Sequence, residues 1–408
     1  MRGNPIIREA LGVKREAKIL LRALRLTLHK RLLPIFTWKI DVVIMRRSTV
    51  MKLLGLCGLL GVAFTGLLHL SSATGEAPPY TFTKIADTRG GNYLAFSPTP
   101  SIDDTGRVLF FADLAGGGQG IFVGDGVSLN RIADTSGDFE EFGRSPAMSR
   151  NGNLAFFTTL DSGEMGYFRG PNPARDLIYG SHLFSNFGDI VVNNQGTVVF
   201  KAKKLKGFKK NRQIFLGNGG KPREIPQSAH SQAGFPSINN LGKVAFSIGD
   251  RVFVSNGRTT TIIAETQDPM FLFYRPVIND KGMVIVQTAS EGWAKRIEKR
   301  IVAIDGERMT TLVSTDGHFR EFFSAHAVNN EGQIVFSAIL DTGEEGLFTG
   351  PFPVTDKVIM RGDELFGARI TDELGVSNQS LNDAGQVAFF ARHEDGTQGI
   401  YRADPRTL

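Results

Sequence analysis

One cysteine, two tryptophans and six tyrosines in 408 residues are the scarcest chemistry in this chain. Cys57 has no partner for an internal disulfide, so a cystine-stapled scaffold is excluded. No paired histidines stand at metal spacing, no glycine-rich loop precedes a helix to cradle phosphate, and no nucleophile elbow occurs. Catalytic residues, a cofactor and a metal set are therefore not expected. A basic body is missing too, although the formal net charge is +6. Residues 1–52 carry 13 Lys/Arg against three Asp/Glu, whereas residues 77–408 carry 34 against 37. The main domain is faintly acidic, which excludes a general nucleic-acid binder. What is abundant is Gly (47) and Phe (31). That composition fits a Phe-filled globular core and excludes a coiled coil.

The N-terminal part divides in two. Residues 1–44 contain apolar residues at helical spacing among many Lys/Arg. They read either as a basic amphipathic helix for an anionic membrane or as sequence upstream of a true start at Met45 or Met51. Within residues 45–73, an 18-residue uncharged run, LLGLCGLLGVAFTGLLHL (53–70), follows MRRSTVMK and precedes Ser71-Ser72-Ala73. A basic n-region, an apolar run and small residues make a signal peptide cleaved after Ala73; retained, the same run anchors the chain in a membrane. The expected location is thus extracytoplasmic: periplasm, cell surface, secreted, or membrane-anchored through residues 53–70.

Residues 78–408 are repetitive. IDDTGRVLF (102–110), MSRNGNLAF (148–156), VNNQGTVVF (192–200), INNLGKVAF (238–246), INDKGMVIV (278–286), VNNEGQIVF (328–336) and LNDAGQVAF (381–389) share one pattern. Their glycines are spaced 46, 44, 46, 40, 50 and 53 residues apart. Asn-x-x-Gly is turn chemistry, with the Asn capping its own backbone and the Gly accepting positive φ. The alternation after it predicts a strand with its Phe inward, followed by a second strand such as GIFVG (120–124) and a third such as LNRIAD (129–134). A Pro sits six residues before the glycine at Pro100, Pro146, Pro236 and Pro276; Ile190, His326 and Gln379 hold that place elsewhere. Units of this length with three or four strands are propeller blades. Residues 80–100 match only the second half of a unit and residues 382–403 only the first. The expectation is an all-β, seven-bladed propeller closed by strands from both ends of the repeat region.

The Asn-x-x-Gly-x-Val/Ala-Phe pattern resembles the bacterial NxxGxxAF tandem-repeat, or choice-of-anchor, family over residues 80–404. The resemblance implies an exported repeat protein without an assigned activity. It lends no catalytic residues. The chain ends at its last repeat, so any anchor is expected at the N-terminal side.

The strongest irregularity is the loop between the first two predicted strands. Counted from the glycine, it spans 14 residues in four repeats, 17 in the third, 18 in the fifth and nine in the fourth. Both long loops are basic, KAKKLKGFKKNR (201–212) and WAKRIEKR (293–300). On a propeller they would emerge on one face as walls flanking a low blade. Lys203, Lys204, Lys206, Phe208, Lys209, Lys210 and Arg212 form one wall, and Trp293, Lys295 and Arg296 the other. Cations beside an exposed aromatic suit an anionic polysaccharide or lipid headgroup. Lysines that merely block edge pairing are the plainer reading. The function expected is a non-catalytic binding or scaffold module of the bacterial envelope. The alternatives are a lyase or hydrolase of acidic glycans, and a purely structural module docking an envelope protein. The sequence leaves the oligomeric state open.

Overall fold

The computed structural model describes residues 79–406 apart from 207–210, 229–233, 267–270 and 291–297. The leader, and with it both readings of residues 1–73, lies outside the described residues. Among the described residues, no helix is long and apolar enough to cross a membrane.

The described chain folds as seven small antiparallel sheets, each of four or five strands, arranged as a seven-bladed propeller. Each repeat contributes an inner strand, then the Asn-x-x-Gly turn, then three strands running outward. The strand carrying the motif's Phe is therefore the second from the axis, and the one ahead of the turn lines the channel. In blade 5, for example, the inner strand Phe271–Ile278 pairs with Val284–Ser290, which pairs with Arg300–Asp305 and then with Arg308–Ser314.

Ring closure follows the half-unit arithmetic. The strand Tyr80–Asp87 joins the last sheet as its outer strand, pairing antiparallel with Gln398–Pro405 from Tyr80↔Pro405 to Asp87↔Gly399. The first and last strands of the repeat region are thus hydrogen-bonded neighbours, and the ring opens only if that ladder breaks.

Packing explains the Phe repeat. In six blades the Phe of the second strand faces an aromatic partner across the third, and in blades 1 to 4 the two rings lie nearly parallel. Phe110–Phe122, Phe200–Phe215 and Phe246–Phe253 have centroids 5.6, 5.7 and 5.1 Å apart. Such cross-strand pairs stabilise a sheet, and full burial of each ring adds a few kcal/mol. Blade 5 departs on both sides at once: Val286 faces Val302, so the missing Phe leaves no ring unpaired. Seven apolar clusters fill the spaces between and within neighbouring blades. One unites Ala388, Phe390 and Ile400 of blade 7 with Phe96, Phe110 and Phe122 of blade 1.

The inner strands are broken at a common register. Pro has no N–H to give the ladder, and the pairing slips there; in blade 5 it jumps from Tyr274↔Gln287 to Val277↔Ile285. Blade 6 has His326 at that register and still slips, between Phe322 and His326. A bulge re-aims side chains. Here it turns them toward the axis.

Candidate functional site

The two ends of the axial channel are built differently. At the end carrying the Asn-x-x-Gly turns, each turn is closed as its sequence predicts. Asn193 Oδ1 accepts from the Gln195 and Thr197 N–H groups at 3.1 and 3.0 Å, while Gly196 sits at φ +69°. The amide's other half leaves the turn. Asn193 Nδ2 donates to the Asn239 carbonyl at 3.0 Å, Asn239 to Asn279 at 2.9 Å, and Asn279 to Asn329 at 3.1 Å. Asn329 then donates to Asn382 at 3.0 Å, and Asn382 to Asp103 at 2.9 Å. Asp103 has no amide to give, so the backbone N–H of Asp104 makes the next link, to Arg150 O at 2.7 Å. Asn153 Nδ2 completes the circle on Asn194 O at 2.9 Å. All seven blades are linked by hydrogen bonds, five of them buried and the two on either side of blade 2 partly exposed.

A second circle runs through the following residue. Asn240 N–H donates to Asp280 Oδ1 at 2.7 Å, Asp280 N–H to Asn330 Oδ1 at 2.8 Å, and Asn330 N–H to Asp383 Oδ1 at 2.8 Å. Arg150 reaches across the same end. Its Nη1 lies 2.7 Å from Asp383 Oδ1 as a charge contact, and its Nη2 donates to Val328 O at 3.1 Å. Burial pushes the Asp104 carboxyl above its ordinary range, opposed by Arg150. Most polar groups at this end are spent on one another, around a cavity of about 60 Å³ beside Arg150, whose Nη1 has no aligned hydrogen bond among the described residues.

Further along the axis, Gln379 Nε2 of blade 7 donates to Val192 O of blade 3 at 3.0 Å, which interrupts the channel. Beyond it lies a chamber of about 110 Å³, lined by residues from every blade. Its titratable groups are Asp189, Arg275 and His326, from blades 3, 5 and 6. Asp189 follows a clamped segment: Gly188 N–H donates to Lys201 O at 2.8 Å, and Gly188 O accepts from the buried Tyr167 hydroxyl at 2.7 Å. Arg275 occupies the bulge at φ +47°, a left-handed conformation that costs about 1 kcal/mol or more for a residue with a Cβ. Its guanidinium packs over the Phe235 ring, 4.0 Å from the centroid.

His326 is 2% exposed, and neither ring nitrogen has an aligned hydrogen-bond partner among the described residues. Burial, with Arg275 adding to it, lowers its pKa to about 4, although the Ile285 and Arg275 carbonyls pull the other way. The imidazole is neutral at pH 7. Burial raises the Asp189 pKa against the pull of Arg275 and Arg212, and lowers that of Arg275. Lys201 is lowered by burial and by Arg212.

The hairpin that carries the first predicted wall rises from this same end, since Lys203 and Lys204 pair with Ser185 and Phe184, far from the Asn-x-x-Gly turn. Blade 4 is low: Ile248 pairs directly with Arg251 across a two-residue turn. Among the predicted wall residues, Lys206 is exposed, Lys203 is half-buried, and Arg212 reaches toward Asp189. Lys204 folds back on its own blade, 3.8 Å from Glu224 and over the Phe215 ring. Phe208, Lys209, Lys210, Trp293, Lys295 and Arg296 lie outside the described residues.

Sequence reasoning missed Asp189, Arg275 and His326 as a group. The available signal was the register six and seven residues before each glycine, where charged or polar residues replace Pro and its neighbour. No cluster of three or more His, Cys, Asp or Glu fit to hold a metal occurs among the described residues. His393, which replaces a Leu of other repeats, is buried against Tyr401, with Nε2 2.7 Å from its hydroxyl.

Fold and site together define a β-propeller with a cavity at each end of its axis, about 60 Å³ among the Asn-x-x-Gly turns and about 110 Å³ at the hairpin end. The chain belongs to a family of unknown function, DUF7453, whose model matches residues 83–406. No curated protein matches it. Among solved structures it is similar to virginiamycin B lyase from Staphylococcus aureus, at 11% identity and a TM-score of 0.42, over 80% of this chain and 100% of that one. It is also similar to the β-propeller domain of Cps50 (Swd1) from Myceliophteria thermophila, at 10% identity and a TM-score of 0.46, over 79% of this chain and 99% of that one. Similarity at this level carries no functional argument.

Proposed function

We propose that this chain is a non-catalytic binding module of the bacterial cell envelope, whose anionic ligand docks on the hairpin end of the propeller. The observation supporting this reading is the asymmetry of the axis. Both ends hold a cavity, but the one at the hairpin end is larger, about 110 against about 60 Å³, and it is lined by the Arg275 guanidinium and the Asp189 carboxylate beneath the lysine-bearing hairpin of blade 3. Export and the extracytoplasmic location rest on the apolar run 53–70 and on the resemblance to NxxGxxAF repeats. The ligand class is an anionic polysaccharide or lipid surface, since both present repeated negative charge to Lys203, Lys206 and their neighbours.

The test is binding of the full chain to polygalacturonate and to phosphatidylglycerol vesicles across a salt series. A variant with Lys203, Lys204, Lys206, Lys209 and Lys210 changed to Ser runs alongside. Salt-sensitive binding that the variant loses supports the reading, and identical behaviour of the two proteins removes it.

A second reading, a lyase or hydrolase of acidic glycans, draws on one observation: a carboxylate, an imidazole and a guanidinium converge from three blades on the axis. New reducing ends or an unsaturated product from polygalacturonate would replace the binding reading with this one.

A further inference from the structure

The turns between the third and fourth strands lie at the same end of the axis as the Asn-x-x-Gly turns, on the outer rim. Two of them are copies of one loop, GPNPARD (170–176) in blade 2 and GPFPVTD (350–356) in blade 6. Each is clamped by its last residue. The Asn172 N–H donates to Asp176 Oδ2 at 2.9 Å, and the Phe352 N–H to Asp356 Oδ2 at 2.8 Å. The frames match and the tips differ. Blade 2 presents Asn172, Ala174 and Arg175 to solvent, whereas blade 6 presents Phe352 and Val354, 62% and 89% exposed. Since the loop closes equally well with a polar tip, holding a Phe and a Val in water adds nothing to the fold.

The apolar tip stands beside the point where the chain enters the ring. The strand Tyr80–Asp87 begins at this end of blade 7, opposite Pro405. Tyr80 reaches the Thr349 side chain at the foot of the blade 6 loop. On the other flank the Thr83 side chain packs against Gly126, in the blade 1 turn that carries the fully exposed Val127 and is followed by the exposed Leu129. That turn is clamped as well, with Asp125 Oδ1 accepting from the Val127 and Ser128 N–H groups at 2.8 and 2.7 Å. Met309, next to Glu307 and Arg308 in blade 5, forms the edge of the arc, and Leu241, exposed on blade 4, lies outside it. The outer turns of blades 2, 3 and 4 carry Arg169, Arg175, Lys221 and Arg258 instead. Exposed apolar residues scattered singly are ordinary, but these gather on both sides of one point.

The sequence ahead of that point indicates the occupant. The uncharged run 53–70 ends nine residues before Pro79, and nine residues span at most about 30 Å when fully extended. We infer that residues 53–70 remain as a membrane anchor and that Phe352, Val354, Val127 and Leu129 rest in the lipid interface beside it. A bilayer takes up apolar tips at its headgroup–acyl boundary without a matching pocket, and a short tether supplies a high local concentration, so a few side chains are enough. The hairpin end then faces away from the lipid, which leaves the polysaccharide as its ligand. The inference rests on the anchored reading of residues 53–70 and is independent of what the hairpins bind.

The test uses the full chain with Cys57→Ser, which removes its only cysteine. One new cysteine, from Val354→Cys or from the matching Ala174→Cys, carries a nitrobenzoxadiazole label. In vesicles of phosphatidylcholine and phosphatidylglycerol, the label at position 354 is expected to emit to the blue of the label at 174. Lipids brominated in their acyl chains should quench it and leave the label at 174 unaffected. A label from Val127→Cys should behave like the one at 354. Equal emission and quenching at 354 and 174 would overturn the inference, and so would a chain that stays in solution when the vesicles are pelleted. A blue shift at 354 that grows with protein concentration and resists bromolipid would give the arc to a second copy of the chain, and overturn the lipid assignment. All three substitutions sit on exposed tips outside the clamps, where folding is expected to survive. The five-lysine variant should leave the signal at 354 unchanged even where it loses the polymer, so failure of the hairpin reading and failure of the membrane reading are separable.

Discussion

Asn329 and His326 stand three residues apart on the path from an inner strand into its turn, and both are essentially solvent-free. Asn329 places every polar atom: its Oδ1 accepts from the Glu331 and Gln333 N–H groups at 3.1 and 2.9 Å, and its Nδ2 donates to Asn382 O at 3.0 Å. His326 has no aligned partner for either nitrogen. One end of the axis is built for stability, and the other carries a standing polar cost of the kind that functional sites retain. Equal burial says nothing about role. The fate of the polar atoms does.

The widest separation of the two ends is expected from Asn329→Leu, which takes the acceptor from two part-buried N–H groups and one of two donors from the buried Asn382 carbonyl. A loss of about 2–3 kcal/mol is expected in urea unfolding, since each lost hydrogen bond costs about 1 kcal/mol and more where a group is left unsatisfied. His326→Leu removes nitrogens that only approach the Ile285 and Arg275 carbonyls without an aligned hydrogen bond, and should leave stability within about 1 kcal/mol of the unaltered protein or above it. A loss in His326→Leu as large as in Asn329→Leu would erase the distinction.

Acid provides the next largest effect. The native His326 pKa, about 4, lies below its ordinary value of 6.5. As pH falls below 6.5 the unfolded chain takes up this proton first, so native stability declines through that window and levels off below about pH 4; above 6.5 the group contributes no pH dependence. The slope approaches about 1.4 kcal/mol per pH unit. The difference between urea-derived stabilities of the unaltered protein and His326→Leu should show that slope between pH 6.5 and 4. Parallel curves would mean that His326 is not held neutral.

Arg150→Met tests whether charge at the Asn-x-x-Gly end matters beyond the Asn circle. Asp104 and Asp383 lose their shared cation, and a loss of about 1–2 kcal/mol is expected in thermal melts, reduced from the buried-pair range because both carboxylates are partly solvated. The smallest effect belongs to the hairpins. Lys203→Ser with Lys206→Ser should change stability by no more than about 0.5 kcal/mol, while polymer binding falls. A large loss of stability there would make the lysines structural.

Much of the fold was readable because it rests on contacts between near neighbours in the chain. The Asn-x-x-Gly turn closes within five residues, the Phe-bearing strand follows at once, and its partner strand comes next. Even the matched departure of Val286 and Val302 stands in the sequence, 16 residues apart. The count of seven and the closure by Tyr80–Asp87 followed from half-units at the two ends of the repeat region. The basic hairpins of repeats three and five and the low blade between them were visible as loop lengths. The low turn at Gly249-Asp250 is in place, and Lys203, Lys206 and Arg212 stand on the chambered end.

Two features were decided only by the tertiary structure. An Asn that caps its own turn gives no sign that its Nδ2 reaches the next blade, because that distance depends on the angle between blades. Likewise Asp189, Arg275 and His326 are separated by 86 and 51 residues and come from three blades. A shared register six or seven residues before the glycine places each at the same height, but height alone does not make a site. Their meeting depends on the radius of a closed ring, set by how seven sheets pack face to face. The sequence therefore carried the blade, and ring closure brought the chamber's three groups together.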